Sequence, residues 1–250
     1  MRKSEINRTG RNVFLPGALF LFLTFLFLSN QNAFSLPLGN VTVTPTNSEV
    51  VNTTIYTVNF DVSGTGVINA DSKILVAFPA GFDISGIVFV SSTTMTGTFS
   101  IGISGQTVTF SRPGGVNFIF SWDPADLTFA NVVNPTTSGT AYTVSVETTT
   151  NADVRIDGPT ASANFTITPG PADYFDVVTQ NGGVEGADTA FTLTVSAYDE
   201  YGNAASGYVG AHTIDFTSTA TVSPGGGSGL TVPTVPVQEV GVVFDGSGVG

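Results

Sequence analysis

A single imidazole limits the acid–base chemistry open to this chain. His212 is the one histidine among 250 residues, so a Ser-His-Asp arrangement would have to use it. One histidine cannot supply the cluster that is typical of a zinc site. Cysteine is absent, which excludes disulfides, thiolate metal sites and thiol nucleophiles. We therefore expect His212 to have a structural role and the chain to be no enzyme.

Two carboxylates three residues apart follow the single tryptophan, in the segment 122–126 (WDPAD). Paired acids that face each other across about 5–9.5 Å can hydrolyse a glycosidic bond. An Asp-Pro pair is also typical of a type I turn, and we favour that interpretation. Trp122 could stack on a sugar if it were exposed. However, the period-two alternation that begins at Val116 and runs through Phe120 predicts that Trp122 is a core side chain.

Carboxylates beside glycine-bearing turns offer the oxygen ligands that Ca²⁺ prefers. The candidate calcium ligands are Asp153, Asp157, Asp173, Asp199 and Glu200. The segment 199–203 (DEYGN) lacks the regular D-x-D-x-D spacing of a calcium loop, so we favour an ordinary hairpin turn there. A divalent ion near residues 168–171 would stiffen the connection between two acidic domains. Calcium is thus the one cofactor that we consider.

The charge of the chain excludes one large class of partner. Lys and Arg number 7 against 19 Asp and Glu, a net charge of −12. Without residues 1–12, 3 cations and 18 acids remain, a net charge of −15. Such a surface repels phosphate backbones, so nucleic-acid binding is excluded. The partners that we expect are a cell-surface, extracellular-matrix or glycan ligand.

The first 35 residues have the three-part layout of a secretory signal. Residues 1–12 are basic, Val13–Leu28 is almost wholly apolar, and residues 33–35 (AFS) form a small-x-small cleavage pattern. An uncleaved anchor is the alternative, but its 16 apolar residues span roughly 24 Å, short of a hydrocarbon core of about 30 Å. We expect cleavage before Leu36 and an extracellular or cell-surface location, with no membrane span in the processed chain.

From residue 40 onward the chain is rich in β-branched and aromatic residues that alternate with period two. In the segment 52–62, for example, Tyr56, Val58 and Phe60 fall on one face. Turn signals, among them residues 157–159 (DGP), recur at the spacing of a sandwich. The predicted strands are 40–45, 53–62, 72–79, 86–91, 97–103, 105–111, 116–122, 127–133, 140–148, 162–168, 173–180, 189–198, 211–218, 229–232 and 237–244. The fold class is therefore all-β, with tandem immunoglobulin-like antiparallel sandwiches.

Two prolines around a glycine, at 169–171 (PGP), predict a short, stiff linker. The predicted organisation is a signal peptide at 1–35, a β-sandwich at 36–168, the linker at 169–171 and a partial immunoglobulin-like domain at 172–250. That last domain has at most five predicted strands, whereas a sandwich of this kind has about seven. We expect either further chain beyond Gly250 or a strand donated by a partner.

Four short sequence motifs lie between residues 172 and 218. They are Ala172–Phe175 (ADYF), Ala190–Asp199 (AFTLTVSAYD), residues 201–203 (YGN) and Gly207–Gly210 (GYVG). Together they resemble the bacterial immunoglobulin-like repeats of large surface and adhesin-type proteins. Through Ile74–Phe82 (ILVAFPAGF) and Val133–Thr140 (VNPTTSGT), the preceding domain is similar to a recurrent β-domain of secreted microbial surface proteins. These resemblances imply extracellular, non-catalytic modules.

The sequence predicts a non-catalytic structural or adhesion module of a secreted or cell-surface microbial protein, which acts by spacing and display. The alternative is a carbohydrate-binding module, or an ancillary domain of an extracellular enzyme that acts on polysaccharide. Catalysis within this segment is the third hypothesis and the least favoured, because the chain is poor in His, Cys, Lys and Arg.

Overall fold

All regular secondary structure in the described part of the chain is β-strand. The computed structural model describes residues 35–184, 191–215 and 239–244, so the predicted secretory signal lies outside them except for Ser35. Fifteen strands and no helix occur in these ranges. None of the described residues belongs to a helix that is long and apolar enough to cross a membrane. The predicted all-β class is confirmed.

Eleven strands lie before the predicted linker and four after it. The first eleven are β1 (Gly39–Pro45), β2 (Thr53–Asp61), β3 (Lys73–Ala77), β4 (Val88–Ser91), β5 (Ser100–Ser104), β6 (Thr107–Ser111), β7 (Pro124–Val133), β8 (Gly139–Tyr142), β9 (Ser145–Thr149), β10 (Arg155–Ala161) and β11 (Phe165–Ile167). The others are β12 (Tyr174–Thr179), β13 (Leu193–Tyr198), β14 (Gly210–Asp215) and β15 (Glu239–Phe244).

Two antiparallel sheets share one hydrophobic core. Their strand orders are β1-β2-β7-β4 and β10-β9-β3-β6-β5. The predicted inward face of β2 is confirmed, because Tyr56, Val58 and Phe60 are all buried. Phe110 of β6 and Phe129 of β7 lie with ring centroids 5.1 Å apart, which joins the two sheets across the core. The arrangement is a β-sandwich.

The sheet edge formed by β10 was not predicted as a strand. Its sequence, RIDGPTA, contains the Gly158-Pro159 pair that was interpreted as a turn signal. Proline has no N–H to donate, so it is tolerated at an edge and excluded from the middle of a sheet. β10 lies at the edge of its sheet, where it pairs with β9 and makes one isolated bridge to Leu36, and its register with β9 shifts on both sides of Asp157. The turn prediction failed because an edge strand tolerates these residues.

Two further strand predictions were wrong. The predicted strand 140–148 is divided into β8, which pairs with β11, and β9, which pairs with β3 and β10. The predicted strand 116–122 is an extended segment that contributes one isolated bridge, between Ile68 and Ile119. Neither change alters the fold class.

The four strands after the linker form two hairpin-like pairs. β12 pairs with β13 in continuous antiparallel register, and β14 pairs with β15 in the same manner. Val195, Ala197 and Ala205 form a small buried cluster, against which Ala172 and Tyr208 pack. The predicted strand at 229–232 lies outside the described residues, and the domain boundaries and the incomplete last domain remain predictions.

Candidate functional site: a joint and an aromatic ridge

The Asp199 carboxylate organises the turn that follows β13. It is 1 % exposed, and it accepts hydrogen bonds from the backbone N–H groups of Tyr201 (3.0 Å) and Asn203 (2.8 Å). The Asn203 side-chain amide also donates to both of its oxygens, at 2.8 and 3.1 Å. Burial alone would raise the pKa of Asp199, but these hydrogen bonds and one from the Gly170 N–H hold it below its ordinary value.

Asn203 connects this turn to the first sandwich. Its amide nitrogen donates to the carbonyl of Thr136 at 2.9 Å, and its Oδ1 accepts from the N–H of Ser138 at 2.9 Å. The Gly170 N–H in the linker donates to Asp199 Oδ2 at 2.9 Å. We use the name "joint" for residues 168–171, which include the predicted linker, together with Asp199 and Asn203. The joint ties both sides of the linker together with side-chain hydrogen bonds.

The first sandwich holds its own side of the joint firmly. Thr168 receives a hydrogen bond from the N–H of Val50 (2.9 Å) and donates to the carbonyl of Ser48 (2.8 Å). Asn134 is buried, and its amide donates to the carbonyls of Asn47 (3.0 Å) and Glu49 (2.7 Å). A cleft of about 460 Å³ lies beside these contacts, lined by residues 49–53, 170–173 and 199–201.

The five calcium candidates are separated by the fold. Asp173, Asp199 and Glu200 line the cleft at the joint. Asp153 instead pairs with Lys73 Nζ at 2.6 Å, and the buried Asp157 hydrogen-bonds to Ser63. Across the described ranges, no three His, Cys, Asp or Glu side chains are grouped so that they could hold a metal ion. The segment 199–203 is a turn, which is the interpretation that the sequence favours.

A row of apolar side chains is exposed between β6 and β7. Val116, Phe118, Phe120 and Trp122 are 80, 51, 60 and 75 % exposed, and we call these four residues the aromatic ridge. The rings of Phe118 and Phe120 lie 6.3 Å apart and only 25° from parallel. The prediction that Trp122 belongs to the core is therefore wrong. Its alternation was correctly recognised, but the apolar face points away from the protein.

The intervening residues explain this inversion, because they anchor the segment inward. The Asn117 amide donates to the carbonyl of Thr94 (2.8 Å), and its Oδ1 accepts from the backbone and hydroxyl of Thr96 (3.0 and 2.8 Å). Ile119 is buried and exchanges two backbone hydrogen bonds with Ile68. The Ser121 hydroxyl donates to the carbonyl of Gly66 at 2.9 Å. Polar groups thus hold the inner face while the aromatic rings face solvent.

A fully buried guanidinium supports the inner face of the ridge. Arg112 donates to the carbonyls of Asn69 (3.1 Å) and Thr96 (3.1 Å) and to Oδ1 of Asn117 (2.6 Å). Its charge lies over the ring of Phe99, 5.9 Å from the centroid. Burial lowers the pKa of Arg112. Nothing in its sequence context marks this arginine as buried, so sequence reasoning missed it.

The Asp123–Asp126 segment is not the turn that the sequence predicted. The turn comes earlier, where the N–H of Asp123 donates to the carbonyl of Phe120 (3.0 Å), and β7 already begins at Pro124. Asp126 is buried and accepts hydrogen bonds from the backbones and hydroxyls of Thr93 and Thr94. Burial raises the pKa of Asp126, but these hydrogen bonds outweigh it and hold the pKa below its ordinary value. Asp126 therefore fastens a loop.

His212 lies on β14, where its ring stacks on Tyr208 with centroids 3.9 Å apart and planes inclined by 15°. Its Nε2 lies 3.3 Å from the carbonyl of Val209. These contacts are those of a packed aromatic side chain, in agreement with the structural role that was predicted.

Comparison with known proteins yields distant structural similarity. No protein-family model and no curated protein matches the chain. Similar solved structures include a non-cellulosomal cohesin from Archaeoglobus fulgidus, with 10 % identity, a TM-score of 0.30, and coverage of 52 % of this chain and 92 % of that one. A 35 kDa C-terminal fragment of the major pilin of Streptococcus agalactiae has 11 % identity, a TM-score of 0.31, and coverage of 84 and 92 %.

The major pilin subunit of Bacillus cereus is similar at 14 % identity and a TM-score of 0.31, over 72 % of this chain and 61 % of the pilin. The chain thus spans less than two thirds of the length of that pilin. Matches at these identities and TM-scores assign the chain to no family.

Proposed function

We propose that this chain is a non-catalytic structural or adhesion module of a secreted or cell-surface microbial protein, which holds β-domains at a fixed spacing and presents their surfaces. The observation that carries the proposal is the joint. Asn203 hydrogen-bonds to Thr136 and Ser138 on one side and to Asp199 on the other, and Asp199 binds the linker itself.

The energy of these contacts suits a spacer. Each hydrogen bond contributes roughly 0.5–1.5 kcal/mol net, so the three that connect the turn to the first sandwich and the linker contribute roughly 1.5–4.5 kcal/mol. A preference of that size favours one orientation at least about tenfold. The linker of two prolines is itself stiff. A joint of this kind keeps the segments on its two sides at a fixed distance and orientation, whereas a flexible linker would not.

The extracellular location rests on the sequence. The predicted secretory signal at residues 1–35 directs export. The resemblance of residues 172–218 to bacterial immunoglobulin-like repeats supports the same location.

Asn203→Ala tests the fixed joint. Because the chain contains no cysteine, Ser104→Cys on β5 and Thr194→Cys on β13 can be spin-labelled cleanly. Pulsed electron paramagnetic resonance should show one narrow distance distribution between the labels. Asn203→Ala should broaden that distribution at least twofold, because the linker then loses its side-chain restraint.

Asn59→Ala, at an exposed asparagine of β2, is the matched control and should leave the distribution narrow. An already broad distribution in the unaltered chain would contradict the spacer function. An unchanged width in Asn203→Ala would show that the joint is not held by this side chain.

A carbohydrate-binding module is the second candidate, and one observation favours it. Trp122, which the sequence allows as a sugar platform if exposed, is 75 % exposed. A module that spaces domains and a module that binds a glycan are compatible, because the joint and the aromatic ridge use different residues.

A further inference from the structure

We infer that the aromatic ridge is a binding platform for a linear, neutral polysaccharide. The inference rests on the display role proposed above, and it names the class of ligand that the displayed surface would bind. It depends on Val116, Phe118, Phe120 and Trp122, and on the residues that fix them, and it makes no use of the joint.

Contacts on the inner face of the segment hold the aromatic ridge in its exposed position. Every second residue of the segment 116–122 is tied inward, by Asn117, Ile119 and Ser121, so the rings between them have little freedom to fold back onto the protein. Trp122 is further restrained because its indole lies against Gly64, where a Cβ would come within 2.5 Å of the ring. Prior ordering of this kind lowers the entropy lost on binding.

The charges of the chain select a neutral ligand. Three cations lie beyond residue 12. Arg112 is buried, while Lys73 and Arg155 already pair with Asp153 and Glu147. An exposed carboxylate, Asp123, stands next to Trp122. Nothing in this set can neutralise a sulfated, phosphorylated or uronic acid chain, whereas an uncharged glycan has no such requirement.

The shape of the ridge selects a linear ligand with apolar faces. The rings of Phe118 and Phe120 lie nearly parallel at 6.3 Å, and Val116 and Trp122 continue the row on either side. An aromatic face carries partial negative charge, which attracts the C–H groups on the face of a sugar ring. A row of such faces with no enclosing pocket fits successive sugars of an extended chain, and hydroxyl groups at the sugar edges remain hydrated.

The test uses the full chain and insoluble neutral polysaccharides, with cellulose and chitin as probes and polygalacturonate as the anionic comparison. We expect retention on at least one neutral probe and none on the anionic one. Trp122 is the single tryptophan, so its fluorescence reports on the ridge alone, and soluble oligomers of the retained glycan should shift its emission to the blue. Trp122→Ala and Phe118→Ala should each weaken retention at least about tenfold.

Phe191→Ala replaces an aromatic residue of similar exposure outside the ridge and should bind like the unaltered chain. All three variants should melt at the temperature of the unaltered chain, since they remove exposed side chains. Equal retention of Trp122→Ala, or absence of both retention and emission shift, overturns the inference. So does a concentration-dependent dimer that Trp122→Ala abolishes without any glycan binding, since the ridge would then pair two copies. None of these three outcomes affects the distance measurement that tests the joint.

Discussion

Replacing Arg112 with alanine is expected to lower the free energy of unfolding by on the order of 3–5 kcal/mol. The guanidinium is fully buried, and its removal leaves the carbonyls of Asn69 and Thr96 and the Asn117 side chain short of a donor. The variant also leaves a cavity the size of a long side chain beneath the ridge. Urea unfolding, followed by circular dichroism, measures the difference.

Arg155→Ala is the matched control for this experiment. Arg155 is exposed and pairs with Glu147 at 2.9 Å, and an ion pair at a surface adds little to stability because water and salt screen it. The loss of stability in Arg112→Lys should fall between the two, because a lysine retains the charge but its single nitrogen cannot reproduce the planar fork with which the guanidinium reaches separate carbonyls. If Arg112→Ala lowered the free energy of unfolding by less than about 1 kcal/mol, the buried guanidinium would not be the group that holds the inner face of the ridge in place.

Acid is expected to weaken the joint through Asp199. Its pKa is held below the ordinary aspartate value in the folded chain. Asp199 therefore makes its full contribution to the free energy of unfolding when the pH is above that ordinary pKa. The contribution is lost as pH falls from about 4 through the lower folded pKa. Asp199→Asn should therefore be less stable than the unaltered chain at pH 7, by about 1–3 kcal/mol, and the difference should shrink below pH 4.

The measurement is thermal or urea unfolding of both chains at intervals from pH 7 to pH 2.5. Asp176→Asn, at an exposed aspartate of β12, serves as the control and should differ little from the unaltered chain at any pH. Asp126, whose pKa is also lowered, contributes equally to both chains, so its titration cancels in the difference. If the difference in unfolding free energy between the two chains stayed constant throughout this pH range, the ionised Asp199 would not be what stabilises the joint.

The sequence predicted the inward face of β2 well, because Tyr56, Val58 and Phe60 lie in a strand bounded by clear turn signals. It failed at the ridge for a physical reason. Period-two alternation shows that two faces differ, but it does not show which face the protein covers. Here the covered face is polar, since Asn117 and Ser121 find partners in neighbouring loops that are remote in the sequence.

The contact that forms the joint was not predicted. The sequence predicts a linker at 169–171 and favours a turn at 199–203, but it does not show that Asp199 lies beside Gly170, because 29 residues separate the two and the pairing of β12 with β13 brings them together. A pair of polar side chains within one turn, Asp199 and Asn203, is the signal that could have indicated it. Side chains of these types regularly satisfy buried backbone groups.

The proline in β10 has a further consequence for how copies of this chain meet at high concentration. Strands at the margin of a sheet are templates on which another chain can add a strand, and this leads to aggregation. At this margin Pro159 interrupts the row of donors, and two register shifts distort it. Crowded copies are thus discouraged from joining their sheets along β10.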